Sequence, residues 1–342
     1  MAAAFPVGSV HDLLGLAPAA LFGGVATEFV GRAEGGIESA RPDELLRDAA
    51  SRMWWRKIGA LAVLDAGRLV GVLTEDDLLY AVVDRLRAKP DAEGDALVWE
   101  SLLPDAMVRD AMTPRDDAAV VVAGTPLVEG LQATFGPTRR QRRRSYLIAV
   151  DADGAPVRVV SFRDLARYLV RLYDGQLPAG FFASAATQAE AQRVAWRVMD
   201  ISLGVLRDQG RLGSPPDSLL PDASPADTLE RMIVRARGYA TVVGPASARD
   251  GSQVLRGICT RRDVLRALKS PFARLDSLAA ARLMSESVRT VSEVDTLCGL
   301  FKRMALEGFR HMPIVDGDGQ LVRMVSIWHG VGMVAHRSDA GR

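Results

Sequence analysis

Cysteine is almost absent. Only Cys259 and Cys298 occur in 342 residues, both inside apolar patterns and without the close spacing of metal ligands. A disulfide framework is therefore excluded as the organising device, and two buried free thiols of a reducing compartment are expected, with no metal site. Aromatic residues make up only 6% of the chain, and no stretch approaches the roughly 20 uninterrupted apolar residues of a membrane-spanning helix. The first twenty residues lack the basic start and sustained apolar core of a secretory signal, so a cytoplasmic protein without membrane association is expected. Excess charge is missing too: the formal net charge is +1, and global electrostatics gives no reason for a nucleic-acid or acidic partner. Enzyme signatures are equally scarce. There is no nucleophile elbow, no His-Glu-x-x-His pair, no P-loop and no dinucleotide glycine fingerprint, so the reading is non-enzymatic.

What is present is repetition. With 48% apolar and 25% charged residues the chain is globular, and its length suits two ordinary domains or four small ones. The abundance of Ala and Arg resembles the product of a high-GC bacterial genome. Near the C-terminus, Met312 to Val315 is a short β-branched run, Asp316-Gly317-Asp318-Gly319 supplies a turn, and residues 321–325 return. Val294, Leu297, Phe301 and Met304 precede it at helical spacing, and Val331, Val334 and Ala335 follow on another short helix.

The same order of helix, strand, turn, strand and helix occurs three more times. In the first copy Leu45, Leu46, Ala49 and Met53 mark the helix. Residues 58–65 and 69–73 mark the strands, and Thr74-Glu75-Asp76-Asp77 opens the closing helix. In the second, Thr125-Pro126 starts a helix, residues 146–151 and 157–160 are strands, and Ser161-Phe162-Arg163-Asp164 opens the closing helix. In the third, Ser224-Pro225 starts the helix, residues 239–243 and 255–259 are strands, and Thr260-Arg261-Arg262-Asp263 follows. From Asp65 to Thr74 is 9 residues; Asp151 to Ser161 and Asp316 to Ser326 are each 10. Gly244 to Thr260 is 16, which reads as a loop insertion. Joints fall at residues 89–95, 174–178 and 270–271, and residues 183–198 form an alanine-rich helix leading into the third copy.

This ordered pattern, with Gly-apolar-apolar-Thr-x-x-Asp at the start of the closing helix, resembles the CBS domain, named after cystathionine β-synthase. Residues 310–316 resemble that family's second strand; residues 71–77 and 257–263 resemble its third strand and helix start. Met112-Thr113-Pro114 and Leu283-Met284 resemble its methionine-containing lead-in. The resemblance implies an α+β fold of four small domains, at residues 1–90, 91–173, 174–270 and 271–342. They would pair as two Bateman modules, first with second and third with fourth. It further implies modules that dimerise into a flat disc, a homodimer as the expected assembly, and clefts that bind AMP, ADP, ATP or a related adenosyl nucleotide.

The hydroxyl-x-x-Asp element carries the site reading. A hydroxyl among the free N–H groups of a helix start suits a phosphate, and an Asp three residues on suits the two hydroxyls of a ribose. From the family these roles carry over to Thr74 and Asp77, Ser161 and Asp164, and Thr260 and Asp263. The same spacing is also a capping box, which needs no ligand, and both readings stand at this point. The fourth copy has His329 where the Asp belongs, and an imidazole cannot offer a ribose diol two acceptors; Ser326, Arg310 and His311 remain as phosphate candidates.

Residues 139–144 are the densest basic run, expected as an enlarged solvated loop, with phosphate anchoring and nucleic acid as further readings. The adjacent indoles of Trp54 and Trp55 cannot share one helical face, so one of them is expected to meet a partner copy, and Phe181-Phe182 suggests docking. The chain thus reads as a regulatory sensor acting on a protein partner. Its rivals are a ligand-free scaffold and a nucleic-acid-linked regulator using residues 139–144.

Overall fold

The computed structural model describes residues 17, 19–22, 25, 37–88, 104–135, 144–178, 180–234, 238–245, 253–268 and 275–335. The first unit contains β1 (Ser39–Ala40), α1 (Leu46–Arg56), β2 (Ala60–Asp65), β3 (Arg68–Thr74) and α2 (Glu75–Ala88). The second follows with α3 (Val108–Ala111), β4 (Thr113–Pro114), β5 (Ala119–Val122), α4 (Leu127–Phe135), β6 (Tyr146–Val150), β7 (Pro156–Ser161) and α5 (Phe162–Tyr173). Two helices, α6 (Ala185–Met199) and α7 (Leu203–Asp208), lead to the third unit: β8 (Ser218–Leu219), α8 (Pro225–Val234), β9 (Tyr239–Val243), β10 (Leu255–Thr260) and α9 (Arg261–Leu268). The fourth has α10 (Ala280–Leu283), β11 (Val291–Ser292), α11 (Leu297–Leu306), β12 (His311–Val315), β13 (Leu321–Ser326) and α12 (Ile327–Ala335).

Each unit builds the same small sheet. A short first strand lies parallel to the central one (β1 on β2, β5 on β6, β8 on β9, β11 on β12), and the central strand forms an antiparallel hairpin with the next. Local chemistry sets the hairpins. Ala66 and Gly67 both take positive φ at 47° and 79°, the geometry of a type I′ turn. In the second and fourth units an aspartate holds the turn instead. Asp151 Oδ1 accepts from the N–H groups of Asp153 and Ala155, at 3.0 and 2.8 Å, and Asp316 Oδ1 accepts from those of Asp318 and Gln320, at 3.0 and 2.9 Å.

The units pair in two ways. Sheet faces meet within sequential pairs: Ala62, Leu69 and Val72 pack on Ile148 and Val150, and Tyr239 and Ile258 pack on Met324. Helices meet across the pairs. One core joins units one and three, from Leu46 and Met53 to Met232 and Val264; the other joins units two and four, from Leu131 and Leu169 to Phe301 and Val331. These helical faces of each pair are therefore covered by the other half of the same chain.

Each lead-in crosses to its neighbour. Tyr168 Oη donates to the Leu21 carbonyl at 2.6 Å and Leu127 N–H to that of Val25 at 2.7 Å, so the start of the described chain packs on unit two. In return β4 adds to β3 of unit one. Residues 202–204 reach unit four, Leu203 N–H donating to Asp295 and Gly204 N–H to Glu293, while Ser285 bridges Ile258 of unit three. Sequence assigns α7 to the third copy; its backbone bonds lie with the fourth.

Two glycines make this exchange possible. A Cβ on Gly71 would sit 2.8 Å from Met112 Sδ, and one on Gly257 would sit 2.6 Å from Met284 Sδ and 3.0 Å from Met284 Cβ. The lead-in methionines thus lie directly on the neighbouring strand. Gly257→Ala is expected to cost about 1–3 kcal/mol by overpacking, read as a lower urea midpoint; an unchanged midpoint would show that this crossing does not constrain the pair.

Candidate functional site

Every hairpin delivers a hydroxyl to a helix start. In unit one, Thr74 N–H and Oγ1 donate to Asp77 Oδ2 at 2.9 and 2.7 Å, and Asp77 N–H donates back to Thr74 Oγ1 at 3.3 Å. Ser161 and Asp164 repeat this at 3.0, 2.7 and 3.3 Å. Thr260 N–H and Oγ1 reach Asp263 Oδ2 at 2.8 and 2.6 Å. In unit four His329 N–H donates to Ser326 Oγ at 3.2 Å, and its Nδ1 lies 3.2 Å from the same oxygen. These are capping boxes, or in unit four a histidine variant of one.

What distinguishes them is the second carboxylate oxygen. Asp77 is 1% exposed and its Oδ1 accepts from Thr113 Oγ1 at 3.0 Å. The lead-in of unit two has taken the oxygen that sequence reasoning offered to a ribose, and neither Thr74 nor Asp77 lines a cleft described below. Asp263 Oδ1 lies 2.8 Å from Arg266 and accepts a long 3.4 Å bond from Ser285. Asp164 Oδ1 has Arg167 at 3.6 Å, and Asp164 lines an open space.

That space is a cleft of about 390 Å³ between units one and two, within the size range of small-molecule sites. Ile37, Ile58 and Val159 supply apolar wall, Ser161 and Asp164 one polar edge, and Arg163, Arg261, Arg310 and His311 a cationic end. Ser326 stands beside these, so the three phosphate candidates of the fourth copy serve the cleft of the other module. A second cleft, of about 370 Å³, is bordered by Trp54, Ile258, Thr260 and Asp263 and ends on Arg163, Arg261, Arg310 and His311 as well. Of the adjacent indoles, Trp54 faces this cleft while Trp55 is 77% exposed. Phe182 is buried in the core of units two and four, and Phe181 stacks on Tyr168.

Where the clefts meet lies a buried charge cluster. Glu75, 6% exposed, is ion-paired with Arg310 and with Arg262, at 3.2 Å for the latter. Asp76 pairs with Arg261. Burial opposes ionisation of Glu75, but Arg310, Arg262 and Arg261 together hold its carboxyl below the usual 4.5. For Arg310 burial opposes the charge, yet Glu75 and Tyr146 beside it raise its pKa overall. Tyr146 is pushed up, first by burial and then by Glu75 and Asp76 against the opposing pull of Arg310. Arg163 differs from its neighbours. Burial and the adjacent Arg310, Arg262 and Arg167 bring it down to about 10, its Nη2 donates to the Gly308 carbonyl at 3.0 Å, and its Nε has no acceptor among the described residues. Two glycines leave room for the cluster: a side chain on Gly59 would collide with Arg310 and Tyr146, and one on Gly238 with Arg261.

Sequence reasoning missed Glu75, Arg163, Arg261 and Arg262. The signal was in the repeat register: all stand one or two residues after the capping hydroxyl, where α2, α5 and α9 converge. Of the basic run, residues 139–143 lie outside the described residues. Arg144 is not a solvated loop residue; it donates to the carbonyls of Asp117 and Ala133 at 2.8 and 2.7 Å. No three His, Cys, Asp or Glu among the described residues are grouped to hold a metal, and no helix among them is long and apolar enough to cross a membrane.

Removing the Glu75 carboxylate leaves the half-buried Arg310 without its anion, so Glu75→Ala is expected to cost about 1–3 kcal/mol. Because the folded-state pKa is depressed, the Glu75 contribution is complete above the unfolded value of 4.5 and is lost as pH falls through the folded value. The stability gap between wild type and Glu75→Gln, measured by urea titration, should hold constant from pH 7 to about 5 and shrink below it; a gap unchanged at lower pH would contradict this.

The family profile described as "CBS domain" matches residues 36–84, 212–270 and 280–329. The second unit is not among these matches, but its β5–β6–β7 sheet has the same pairing as the other three. No curated protein matches the sequence. Among solved structures, the chain is similar to a Methanocaldococcus jannaschii protein described as a candidate archaeal homologue of g-AMPK, at 15% identity and TM-score 0.66, covering 90% of this chain and 99% of that one. It is also similar to an uncharacterized conserved protein from Pyrococcus horikoshii, at 13% identity and TM-score 0.52, again covering 90% and 99%. These likenesses show the fold, four units in two pairs along one chain. Units one, three and four thus match the CBS-domain profile, and all four units share one sheet pairing, the fold of tandem CBS domains.

Proposed function

We propose that this chain is a non-catalytic regulatory protein that binds an adenosyl nucleotide of the AMP, ADP or ATP type in the cleft between units one and two. The observation that carries the reading is the sequence of surfaces within that one cleft. Apolar lining from Ile37, Ile58 and Val159 suits a purine face, Asp164 lines the same cleft as a carboxylate for a ribose, and Arg163, Arg261 and Arg310 line it as cations for phosphate. The second cleft, with Thr260 and Asp263, is a weaker site because Arg266 and Ser285 already engage Asp263 Oδ1. Thr74 and Asp77 are structural caps in this account.

A bound nucleotide would act by favouring one arrangement of the two modules over another, and it transmits only as much as its affinities for the two differ. The cationic end suits this role, since its residues come from all four units: Glu75, Arg163, Arg262 and Arg310 are in mutual reach. In this reading the recipient is a cytoplasmic protein partner that contacts the outer surface of the chain. A homodimer, if formed, uses surfaces other than the helical faces already covered.

Calorimetric titration with AMP, ADP, ATP and S-adenosylmethionine tests the reading. At least one should bind, and Asp164→Asn should weaken it about ten- to a hundredfold, the worth of a charged hydrogen bond. Asn keeps an oxygen for the cap but turns an N–H₂ toward the cleft. Asp77→Asn should leave affinity unchanged while lowering stability. Absence of binding by every adenosyl ligand to the folded protein would overturn the proposal.

A further inference from the structure

Two clefts that lie in different modules share their cationic end. Arg163, Arg261, Arg310 and His311 line both, and Glu75 and Arg262 border the second. Counting formal charges where they meet, Arg163, Arg261, Arg262 and Arg310 face Glu75 and Asp76, four guanidinium groups against two carboxylates. Asp76 is committed to Arg261. Glu75 is not committed to one partner: one oxygen takes Arg310, which stands just before β12 and lines both clefts, and the other takes Arg262, which borders the second. Arg163 stands between them, crowded by cations and with its Nε unpaired.

We propose that Glu75 is a built-in counter-anion that sets how much phosphate charge the two clefts accept and makes their occupation by anions mutually antagonistic. Glu75 holds the place of one anion at a centre of surplus positive charge, so a bound phosphate meets that surplus already reduced by one. A ligand bearing more phosphates brings unbalanced negative charge against a buried carboxylate, which low local polarity makes costly. When a phosphate in one cleft engages Arg163 and Arg310, the same groups are less available to an anion in the other. The charge of the ligand is therefore read by a residue that a sequence comparison of the capping positions passes over. The identity of the ligand rests on the adenosyl reading above; the anion selectivity does not.

Titration of wild type and Glu75→Gln with inorganic tripolyphosphate, ATP, AMP and adenosine separates the two. Glu75→Gln should bind tripolyphosphate and ATP at least about fivefold more tightly, AMP less so, and adenosine equally, with the gain shrinking as salt is raised. Glu75→Asp, which keeps the charge, should follow wild type. Affinities for tripolyphosphate and ATP that are unchanged or weaker in Glu75→Gln would overturn the proposal, as would a wild type that does not bind tripolyphosphate at all. If Glu75→Gln does not fold, Arg163→Gln provides the test, because it removes a crowded cation rather than a carboxylate. It should weaken tripolyphosphate binding about tenfold, and equal binding would overturn the proposal. Tripolyphosphate binding without any adenosyl binding would instead sink the nucleotide reading and leave the charge selectivity standing.

Discussion

A glutamate side chain buried among arginines at the junction of four small domains is the constraint on which the rest of the structure turns. The carboxylate does not tolerate such burial alone: unpaired there it would cost several kcal/mol. Glu75 comes from unit one, Arg310 from unit four and Arg262 from unit three, so the ions are compensated only when the units sit as they do. Gly59 and Gly238 keep side chains out of the volume that Arg310 and Arg261 occupy. The apolar cores supply the bulk of the driving force, joining units one with three and two with four. The charge cluster supplies registry between them, and it is also where both clefts end.

Around that centre the fold repeats one device with small variations. Each hairpin ends in a hydroxyl that caps the next helix, and what happens to the second oxygen of the acid three residues on differs from copy to copy. In unit one Thr113 occupies it, in unit three Arg266 and Ser285 do, and in unit two only a distant Arg167 attends it. The copy of the motif least used by the protein itself is the one that faces the better cleft. The exchange of lead-ins explains the difference. β4 lies against β3 and brings Thr113 to Asp77, whereas the segment crossing to unit two, through Leu21 and Val25, meets Tyr168 and Leu127 instead.

The repeated helix–strand–turn–strand–helix order was legible in the sequence because turn chemistry and β-branched runs are local signals. Ala66-Gly67 and Asp316 perform the turns expected of them, while Asp151, read as the end of a strand, holds the turn of the second copy. The crossing of the lead-ins was not legible, since α7 precedes the third copy in the chain yet bonds to the fourth, and nothing local to residues 202–204 announces Glu293 and Asp295 as partners. At the site, Ser161, Asp164, Arg310 and His311 were identified, but Thr74 and Asp77 looked equivalent to them, because saturation of a carboxylate by a residue 36 positions away is a tertiary fact. Glu75, Arg163 and Arg262 were overlooked for the opposite reason: charged residues in a first helical turn ordinarily face solvent, as Arg262 still partly does, and only the meeting of the units buries Glu75 and half-buries Arg163.

The account centres on one junction that compensates buried charge and receives ligand phosphate from the adjoining cleft. A crystal structure of the protein with AMP tests this directly. The account predicts the ribose on Asp164 in the cleft of units one and two, with phosphate oxygens within hydrogen-bond distance of Arg163 and Arg310 and Glu75 still paired to Arg262. A nucleotide bound elsewhere, or one in this cleft with its phosphate turned away from both arginines, would contradict it.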